Sequence, residues 1–318
     1  MVAQTKQRSG WPITKTLAIL EISRSSYHRW NKADGSQPSP PQSVSGSMYK
    51  LLDREKRAIL DYALKHPEIR HRELAWRMLD KGICAVSSAS VYRVLREANL
   101  VCRWKPKTKV KGQGRQAPPT GPDEKWQTDI KYVQVGNRNC YLISFMDVYS
   151  RYIVHHQLLT RMDGQSVSTE AAAALAKLGF DQCPDIQSDH GSGFIARDFT
   201  ETLAEFGVTH KKIRPHTPTD NAEIERYHRT IGEKIVEYDL PDFIEAQQVI
   251  DDIIDKYNHH RLHAALSYLR PVDYYRGDPE VLLARRRRKL QQARELRKQE
   301  NIKLRQHMIP WPEQKTVA

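Results

Sequence analysis

Three carboxylates stand where the surrounding sequence would bring them to one end of a β-sheet. Asp129 lies inside the apolar run 126–135, where an unpaired carboxylate costs several kcal/mol unless a cation or donor compensates it. Asp189 ends a short predicted strand, and Glu225 stands near the start of a predicted helix. Carboxylate oxygens are the ligands that hard divalent cations prefer. Asp129, Asp189 and Glu225 are therefore candidates for metal-binding catalytic residues.

Phosphodiester cleavage and transfer is a reaction that such a set could support. It needs a nucleophile aligned with the phosphorus and positive charge near the attacking and leaving oxygens, which two divalent cations about 4 Å apart supply. Mg²⁺ keeps several waters, so three carboxylates and a substrate phosphate are sufficient ligands. Asp147, Asp220 and Glu223 remain as competing carboxylates.

The apolar pattern from Glu124 onward predicts an α/β domain. We expect strands at 126–135, 140–148, 152–157, 185–188 and 208–213, and helices at 163–178, 196–206, 222–238 and 243–260. Three strands followed by alternating helices and strands is the order of a ribonuclease-H-like fold. Glycines 191 and 193 would let the chain turn away from Asp189 without placing a side chain in the site.

Two helical segments precede this domain. Residues 13–30 predict two short helices broken near Ile22, and residues 51–100 predict three helices. A plain helical scaffold is one interpretation of each segment. Two such units in series favour helix-turn-helix DNA reading, and the exposed residues suited to phosphates and base edges are Arg24, His28, Arg29, Arg93 and Arg96.

The predicted domain organisation follows from these patterns. The sequence divides into a first helix-turn-helix (1–34), a linker rich in Gly, Ser and Pro (35–47), a second helix-turn-helix (48–102), a basic linker (103–122), a catalytic core (123–278) and a basic helical tail (279–318).

The charge distribution points to an anionic partner. The chain has a formal net charge of +13. Residues 123–279 contain 17 Lys and Arg against 25 Asp and Glu, whereas the remainder contains 34 against 13, a net of +21. This pattern is typical of basic arms that hold nucleic-acid phosphates around an acidic core that holds cations. Within the arms, Arg103, Lys105 and Lys107 of the basic linker and Arg285, Arg286, Arg287 and Arg288 of the tail are further candidate DNA contacts.

Several other classes of protein are disfavoured. The four cysteines show no CxxC spacing, so neither a disulfide framework nor a cysteine-rich zinc site is expected. No apolar run approaches the roughly 20 residues that a membrane span needs, and no signal-peptide core opens the chain. We therefore expect a cytoplasmic protein without membrane contact.

The sequence resembles the DDE transposases of bacterial insertion sequences, which have a retroviral-integrase-like core. The segments that carry the resemblance are 126–129 (Trp-Gln-Thr-Asp), 188–194 (Ser-Asp-His-Gly-Ser-Gly-Phe), 218–225 (Pro-Thr-Asp-Asn-Ala-Glu-Ile-Glu), with 35 residues between Asp189 and Glu225, and 257–263 (Tyr-Asn-His-His-Arg-Leu-His). The position of the glutamate in this family selects Glu225 over Glu223. His190 and the pair Tyr227 and His228 depart from the family pattern, and we expect these departures to affect DNA contacts rather than metal binding.

The resemblance implies an activity and its partners. It implies two Mg²⁺ ions per active site, for which Mn²⁺ can substitute, and cleavage that exposes 3′-hydroxyls at the terminal inverted repeats of a mobile element, followed by their joining to target DNA. The partners would be double-stranded DNA and further copies of the chain in a homodimer or higher oligomer. Arg229, one turn after Glu225, would contact the DNA end, and Lys234 is a weaker candidate. The alternatives are a catalytically idle DNA-binding regulator derived from such an element, and a stand-alone nuclease.

Overall fold

In the computed structural model of the protein, residues 2–25, 27–28, 47–101, 117–179, 182–213 and 221–308 are described. The chain divides into two compact units, one formed by residues 1–50 and 297–318 and the other by residues 51–296.

The smaller unit begins with two short helices, α1 (Val2–Ser9) and α2 (Ile13–Ile19). The chain breaks after α2 with Glu21 in the left-handed region (φ 53°), and residues 24, 25, 27 and 28 are helical again. The Tyr27 N–H donates to the Ser23 carbonyl (3.1 Å), so the second helical stretch starts after Ser23. The predicted break near Ile22 is thus present, whereas α1 was not predicted.

The larger unit opens with three helices, α3 (Asp53–Lys65), α4 (His71–Asp80) and α5 (Ser88–Glu97). Their apolar positions recur at helical spacing and form one buried cluster that includes Ile59, Leu74, Met78, Val91 and Leu95. The Ser87 side chain accepts from the Ser90 N–H and caps α5.

A mixed five-stranded sheet follows, with strand order β3-β2-β1-β4-β5. The strands are β1 (Lys125–Val135), β2 (Arg138–Asp147), β3 (Ile153–Leu159), β4 (Asp185–Ser188) and β5 (His210–Lys212). The first three form an antiparallel meander, while β4 lies parallel to β1 and β5 parallel to β4. The five strands lie within two or three residues of the predicted bounds.

Helices cover both faces of the sheet. On one face α6 (Gly164–Leu175), α7 (Ser192–Ile195) and α8 (Arg197–Glu205) pack over Trp126, Phe145 and Ile186. On the other, α9 (Ala222–Ile235) and α10 (Phe243–His259) pack over Val133, Leu142 and Met146. This arrangement fits the ribonuclease-H-like fold.

The chain continues after α10 through a 3₁₀ turn (Ala264–Leu266) into α11 (Pro271–Tyr275) and the long helix α12 (Pro279–Met308). The short helices α7 and α11 were not predicted, because their Gly and Pro residues are also typical of turns. None of the helices in the described ranges is both long and apolar enough to cross a bilayer.

Candidate active site

Asp129 and Asp189 take neighbouring positions on adjacent parallel strands. β1 and β4 pair in register from Lys125 with Asp185 to Gln127 with Gln187. Side chains two residues apart share one face of a strand, so the next such positions are Asp129 and Asp189, the latter immediately after β4 ends. The register therefore directs both carboxylates to the same edge of the sheet, where neighbouring strands lie about 4.8 Å apart.

The loop after β4 holds the Asp189 side chain. The Gly191 N–H donates to Oδ1 of Asp189 (2.9 Å), and a Cβ on Gly191 would lie 3.0 Å from that oxygen. A larger residue at position 191 would therefore crowd the carboxylate, as the sequence interpretation expects. Gly193 has a different role, because its Cβ would lie 2.8 Å from the Val167 side chain of α6. It allows close packing of α7 rather than access to the site.

Glu225 lies in the first turn of α9, on its exposed side. Partial burial raises the pKa of the Glu225 carboxyl, and the negative charge of Asp129 raises it further, while Arg229 and His228 lower it. Glu225 and Asp129 are thus close enough for their charges to interact. Asp189 is not among the charges that shift the Glu225 pKa.

The donor chemistry of these three residues fits a hard divalent cation. Their ligand atoms are all carboxylate oxygens, which Mg²⁺ and Mn²⁺ prefer. The like charges of Asp129 and Glu225 oppose each other, and a cation between them would relieve that repulsion. Within the described residues, no group of three His, Cys, Asp or Glu side chains is already arranged as a metal site. The structure therefore brings Asp129 close to Glu225 and beside Asp189 without closing them into one ligand set.

The competing residue Glu223 is occupied by structural contacts. Its carboxylate accepts from Nε2 of Gln127 (3.2 Å) and pairs with Nη1 of Arg151 (3.3 Å). The Oε1 atom of Gln127 in turn accepts the Ile224 N–H (3.1 Å). Gln127 and Glu223 thus fasten the start of α9 to β1, and this connection positions Glu225 relative to Asp129.

Comparisons with known proteins bear on the same region. Two family models, both described as integrase core domains, match residues 119–218 and 206–271. The InsK protein of insertion sequence element IS150 from Escherichia coli (strain K12), which is named as a transposase, is 24% identical over 84% of this chain and 94% of its own length. The transposase for insertion sequence element IS904 from Lactococcus lactis subsp. lactis (strain IL1403) is 28% identical over 49% of this chain and 62% of its own length.

Residues 119–271 thus match integrase core domains, and the chain is similar to transposases of insertion sequences. Asp129 and Asp189 fall in the first matched segment and Glu225 in the second. Among solved structures, the HTLV-2 integrase catalytic core domain in complex with magnesium is 16% identical, with a TM-score of 0.41 over 49% of this chain and 98% of that chain.

His228 lies directly behind Asp129. Its Nδ1 atom is 3.1 Å from Oδ2 of Asp129, and the ring is buried. The neighbouring Tyr227 is also buried, with its hydroxyl 3.2 Å from Oγ of Ser144, the residue paired with Asp129 across β1 and β2. The expectation that this pair affects DNA contacts is not supported, because both side chains face the interior and one contacts a candidate metal ligand. The expected lack of effect on metal binding stays a prediction.

Asp147, a second competing carboxylate, is a buried structural residue at the end of β2. It accepts the N–H groups of Asp123 (3.0 Å) and Ser150 (2.8 Å) and also the Ser150 hydroxyl. Burial raises the pKa of Asp147 from 3.8 to about 6 despite these donors. The third competitor, Asp220, lies outside the described residues.

The predicted DNA-binding residues differ in their exposure to solvent, and some of them lie outside the described residues. Most of those in the described ranges are exposed, namely Arg24, His28, Arg93, Arg96, Arg229, Arg285, Arg287 and Arg288. Four further predicted residues lie outside those ranges, namely Arg29, Arg103, Lys105 and Lys107.

Arg286 is a correction to the predicted set. Its guanidinium is buried, forms a bidentate pair with Asp80 of α4, and donates to the Ser267 (3.0 Å) and Tyr268 (2.8 Å) carbonyls. It also lies over the Trp76 ring, 4.9 Å from the centroid. The prediction that Arg286 contacts DNA is wrong, because its donors are engaged within the protein, where they join α4, α12 and the turn after α10.

Two residues that the sequence did not single out hold helices and strands of the candidate site in place. Asn258 of α10 accepts from the Ile153 N–H (2.9 Å) and donates to the Ile153 carbonyl (3.0 Å), which fixes the start of β3. Gln127 holds α9 in a comparable way. Both are polar residues at buried positions of an apolar pattern, and a buried polar group requires a partner. A polar residue at a predicted buried position was therefore the sequence signal that could have identified them.

Proposed function

We propose that the protein is a transposase that binds the terminal inverted repeats of its own mobile element and catalyses metal-dependent cleavage at the 3′ ends and strand transfer into target DNA. The observation that carries the proposal is the placement of three carboxylates from distant parts of the chain. Asp129 lies on β1, Asp189 directly follows the parallel strand β4 that pairs with β1, and Glu225 approaches Asp129 from α9. Phosphoryl transfer between DNA strands is the chemistry that such a set supports best.

Asp129, Asp189 and Glu225 would hold two Mg²⁺ ions, for which Mn²⁺ can substitute. When bound, such ions activate the nucleophile and stabilise charge on the attacking and leaving oxygens. His228 and the Ile130 N–H orient the Asp129 carboxylate, whose two oxygens they contact at 3.1 and 2.8 Å. The Gly191 N–H does the same for Asp189. Arg229 lies near Glu225 and would contact phosphate oxygens of the DNA end.

The proposed reaction has two steps of the same kind. In the first, a water oxygen bonds to the phosphorus at the element end, the bond from phosphorus to O3′ breaks, and a free 3′-hydroxyl remains. In the second, that hydroxyl bonds to a target phosphorus, and the target's own O3′ leaves. Each step exchanges one phosphodiester bond for another bond to phosphorus, with no change of oxidation state.

The exposed basic residues would hold double-stranded DNA during these steps. Arg24 and His28 lie in the smaller unit, Arg93 and Arg96 on α5, and Arg285, Arg287 and Arg288 on α12. Helices that expose such residues can place them against phosphates and base edges. Two element ends must be paired, so we expect a homodimer or higher oligomer, acting at the bacterial nucleoid.

The test is a cleavage and joining assay with purified protein. Labelled duplexes carrying the ends of the element that encodes the chain are incubated with Mg²⁺ or Mn²⁺, and products are separated on denaturing gels. Joined products should form with the parent protein and fall more than about 100-fold with Asp129→Asn or Glu225→Gln, since even changes around metal ligands cost 10- to 100-fold. The exposed Asp252→Asn change on α10 is the matched control.

The outcomes separate the proposal from its alternatives. Joining that is lost in both site variants and kept in Asp252→Asn supports a transposase of this mechanism. Cutting without joining would indicate a stand-alone nuclease. Tight binding of the element ends with no reaction in the parent protein would indicate a catalytically idle regulator.

A further inference from the structure

The end of the Lys131 side chain lies against Gly232 of α9. Lys131 follows Asp129 by two residues on β1 and therefore shares its face of the sheet. A Cβ built on Gly232 would be 2.9 Å from both Cε and Nζ of Lys131. The lysine can reach across α9 at this point only because residue 232 has no side chain.

Gly232 lies on the same face of α9 as the candidate active site. It follows Glu225 by seven residues, which is two helical turns or about 10 Å, and Arg229 lies between them. Glu225 and Arg229 are both exposed on that face. Along α9, the candidate metal-binding carboxylates therefore come first, Arg229 follows, and the ammonium group of Lys131 comes last.

The Lys131 ammonium is available for an external anion. Across the described ranges, no carboxylate lies within ion-pair distance of its Nζ. Lys131 lines an open groove of about 360 Å³ beside α9, together with Gln134, Tyr238 and one acidic residue, Asp239. The groove also includes Tyr132, whose side chain is 60% exposed. Exposed aromatic side chains next to a cation are typical of nucleic-acid-binding surfaces.

We propose that Lys131, held in the notch formed by Gly232, binds a DNA phosphate that flanks the reacting one. A separation of about 10 Å equals the rise of about three nucleotides along the duplex axis, since each strand rises 3.4 Å per phosphate along that axis. The inference rests on the proposed function, since it assumes that DNA lies across Asp129 and Glu225. It adds a DNA contact from β1, the strand that also carries the candidate metal ligand Asp129.

A purely structural role for Lys131 makes a different prediction. Long lysine side chains often cover apolar surface with their methylene groups while the charge stays in water. If that were the only role of Lys131, Met would replace it without loss of DNA affinity, because Met keeps the apolar stem. If the ammonium contacts a phosphate, Met should weaken binding and Arg should preserve it.

Gly232→Ala tests the notch without changing any charge. The new methyl group would occupy the space of Cε and Nζ, so the lysine end must move. Ala has a higher helix propensity than Gly, so α9 should remain folded. DNA affinity should fall in this variant although Lys131 is still present, and the double variant with Lys131→Met should be no weaker than Lys131→Met alone.

The experiment measures binding of a 30-base-pair duplex of mixed sequence to the full chain by fluorescence anisotropy in EDTA, at several salt concentrations. Lys131→Met should weaken binding about three- to tenfold and reduce the slope of log K against log salt by about 0.9, the value for one phosphate contact. Lys131→Arg should bind like the parent. Lys256→Met, which removes an exposed charge on α10, is the matched control.

Each result decides the inference. A lower slope for Lys131→Met with an unchanged slope for Lys256→Met supports it, as does weaker binding by a normally folded Gly232→Ala protein. Equal slopes for the two Met variants would overturn it. If the parent protein binds the duplex but joins no DNA ends in the assay above, the proposed function is refuted and this contact is not affected. If the parent protein joins ends and the Lys131→Met variant binds the duplex normally, only the contact is refuted.

Discussion

Nδ1 of His228 lies 3.1 Å from Oδ2 of Asp129, and the other oxygen of that carboxylate accepts the Ile130 N–H at 2.8 Å. Asp129 is therefore fixed in orientation from behind by a buried ring on α9. Residues that orient a metal ligand in this way commonly contribute 10- to 100-fold to metal affinity.

We predict that His228→Ala lowers Mn²⁺ affinity about tenfold or more, because Asp129 loses the contact that orients it. The measurement is free Mn²⁺ detected by electron paramagnetic resonance during titration of the protein, without DNA. His260→Ala, which changes an exposed histidine, serves as the control. Equal Mn²⁺ affinities for His228→Ala and the parent would show that this contact does not position the ligand.

Arg286→Ala should destabilise the protein by about 2–3 kcal/mol. Loss of one partner of a buried ion pair typically costs 3–5 kcal/mol, and the value is reduced here because the Asp80 side chain is 42% exposed. The free energy of unfolding from urea denaturation, monitored by circular dichroism, is the measurement. A change below 0.5 kcal/mol would contradict the structural role of Arg286.

Arg287→Ala should show the opposite behaviour. Its side chain is exposed on α12, so stability should change by less than about 0.5 kcal/mol. If this face of α12 contacts DNA, the salt dependence of duplex binding should fall by about one phosphate contact. Two adjacent arginines would then separate the structural and DNA-binding functions of one basic run.

The sequence predicted the elements that carry the active site because their patterns are local. The alternating apolar residues of β1 and the helical spacing in α9 follow from residues close in the chain. The neighbouring positions of Asp129 and Asp189 could be expected from the strand order of the fold. The predicted break near Ile22 depends on an equally local signal.

The contacts that the sequence did not predict join residues far apart in the chain. Arg286 stands in a basic run that is indistinguishable from a solvated helix until Asp80 and Trp76 are placed beside it. The contact of Lys131 with Gly232 also depends on how β1 and α9 pack, and no local pattern encodes it. A single sequence specifies these side chains but not the residues that they meet.

Glu223 and Glu225 should respond differently to loss of charge. Glu223→Ala removes the partner of Gln127 and Arg151 and should lower stability by about 1–3 kcal/mol. Glu225→Gln should preserve or slightly raise stability at neutral pH, because the raised pKa of Glu225 means that its ionised form is disfavoured in the folded state. Urea denaturation at pH 7.5 distinguishes them, and a larger loss of stability for Glu225→Gln than for Glu223→Ala would contradict these roles.

Ionisation of the Asp147 carboxyl should lower the free energy of unfolding as the pH rises from 4 to 6. Its pKa is raised from 3.8 to about 6 by burial, so the folded state holds the proton more tightly than the unfolded state does. The stabilisation from the protonated Asp147 carboxyl is complete below pH 3.8 and is lost as the pH rises through 6. Its full size is about 3 kcal/mol. His155 and His156 act in the opposite direction, because burial lowers their pKa values. The difference in unfolding free energy between the parent and Asp147→Asn, measured from pH 4 to 7, isolates the carboxyl group. That difference should change by about 2 kcal/mol over this range, because the unfolded-state carboxyl is already partly ionised at pH 4, and a constant difference would show that Asp147 does not titrate there.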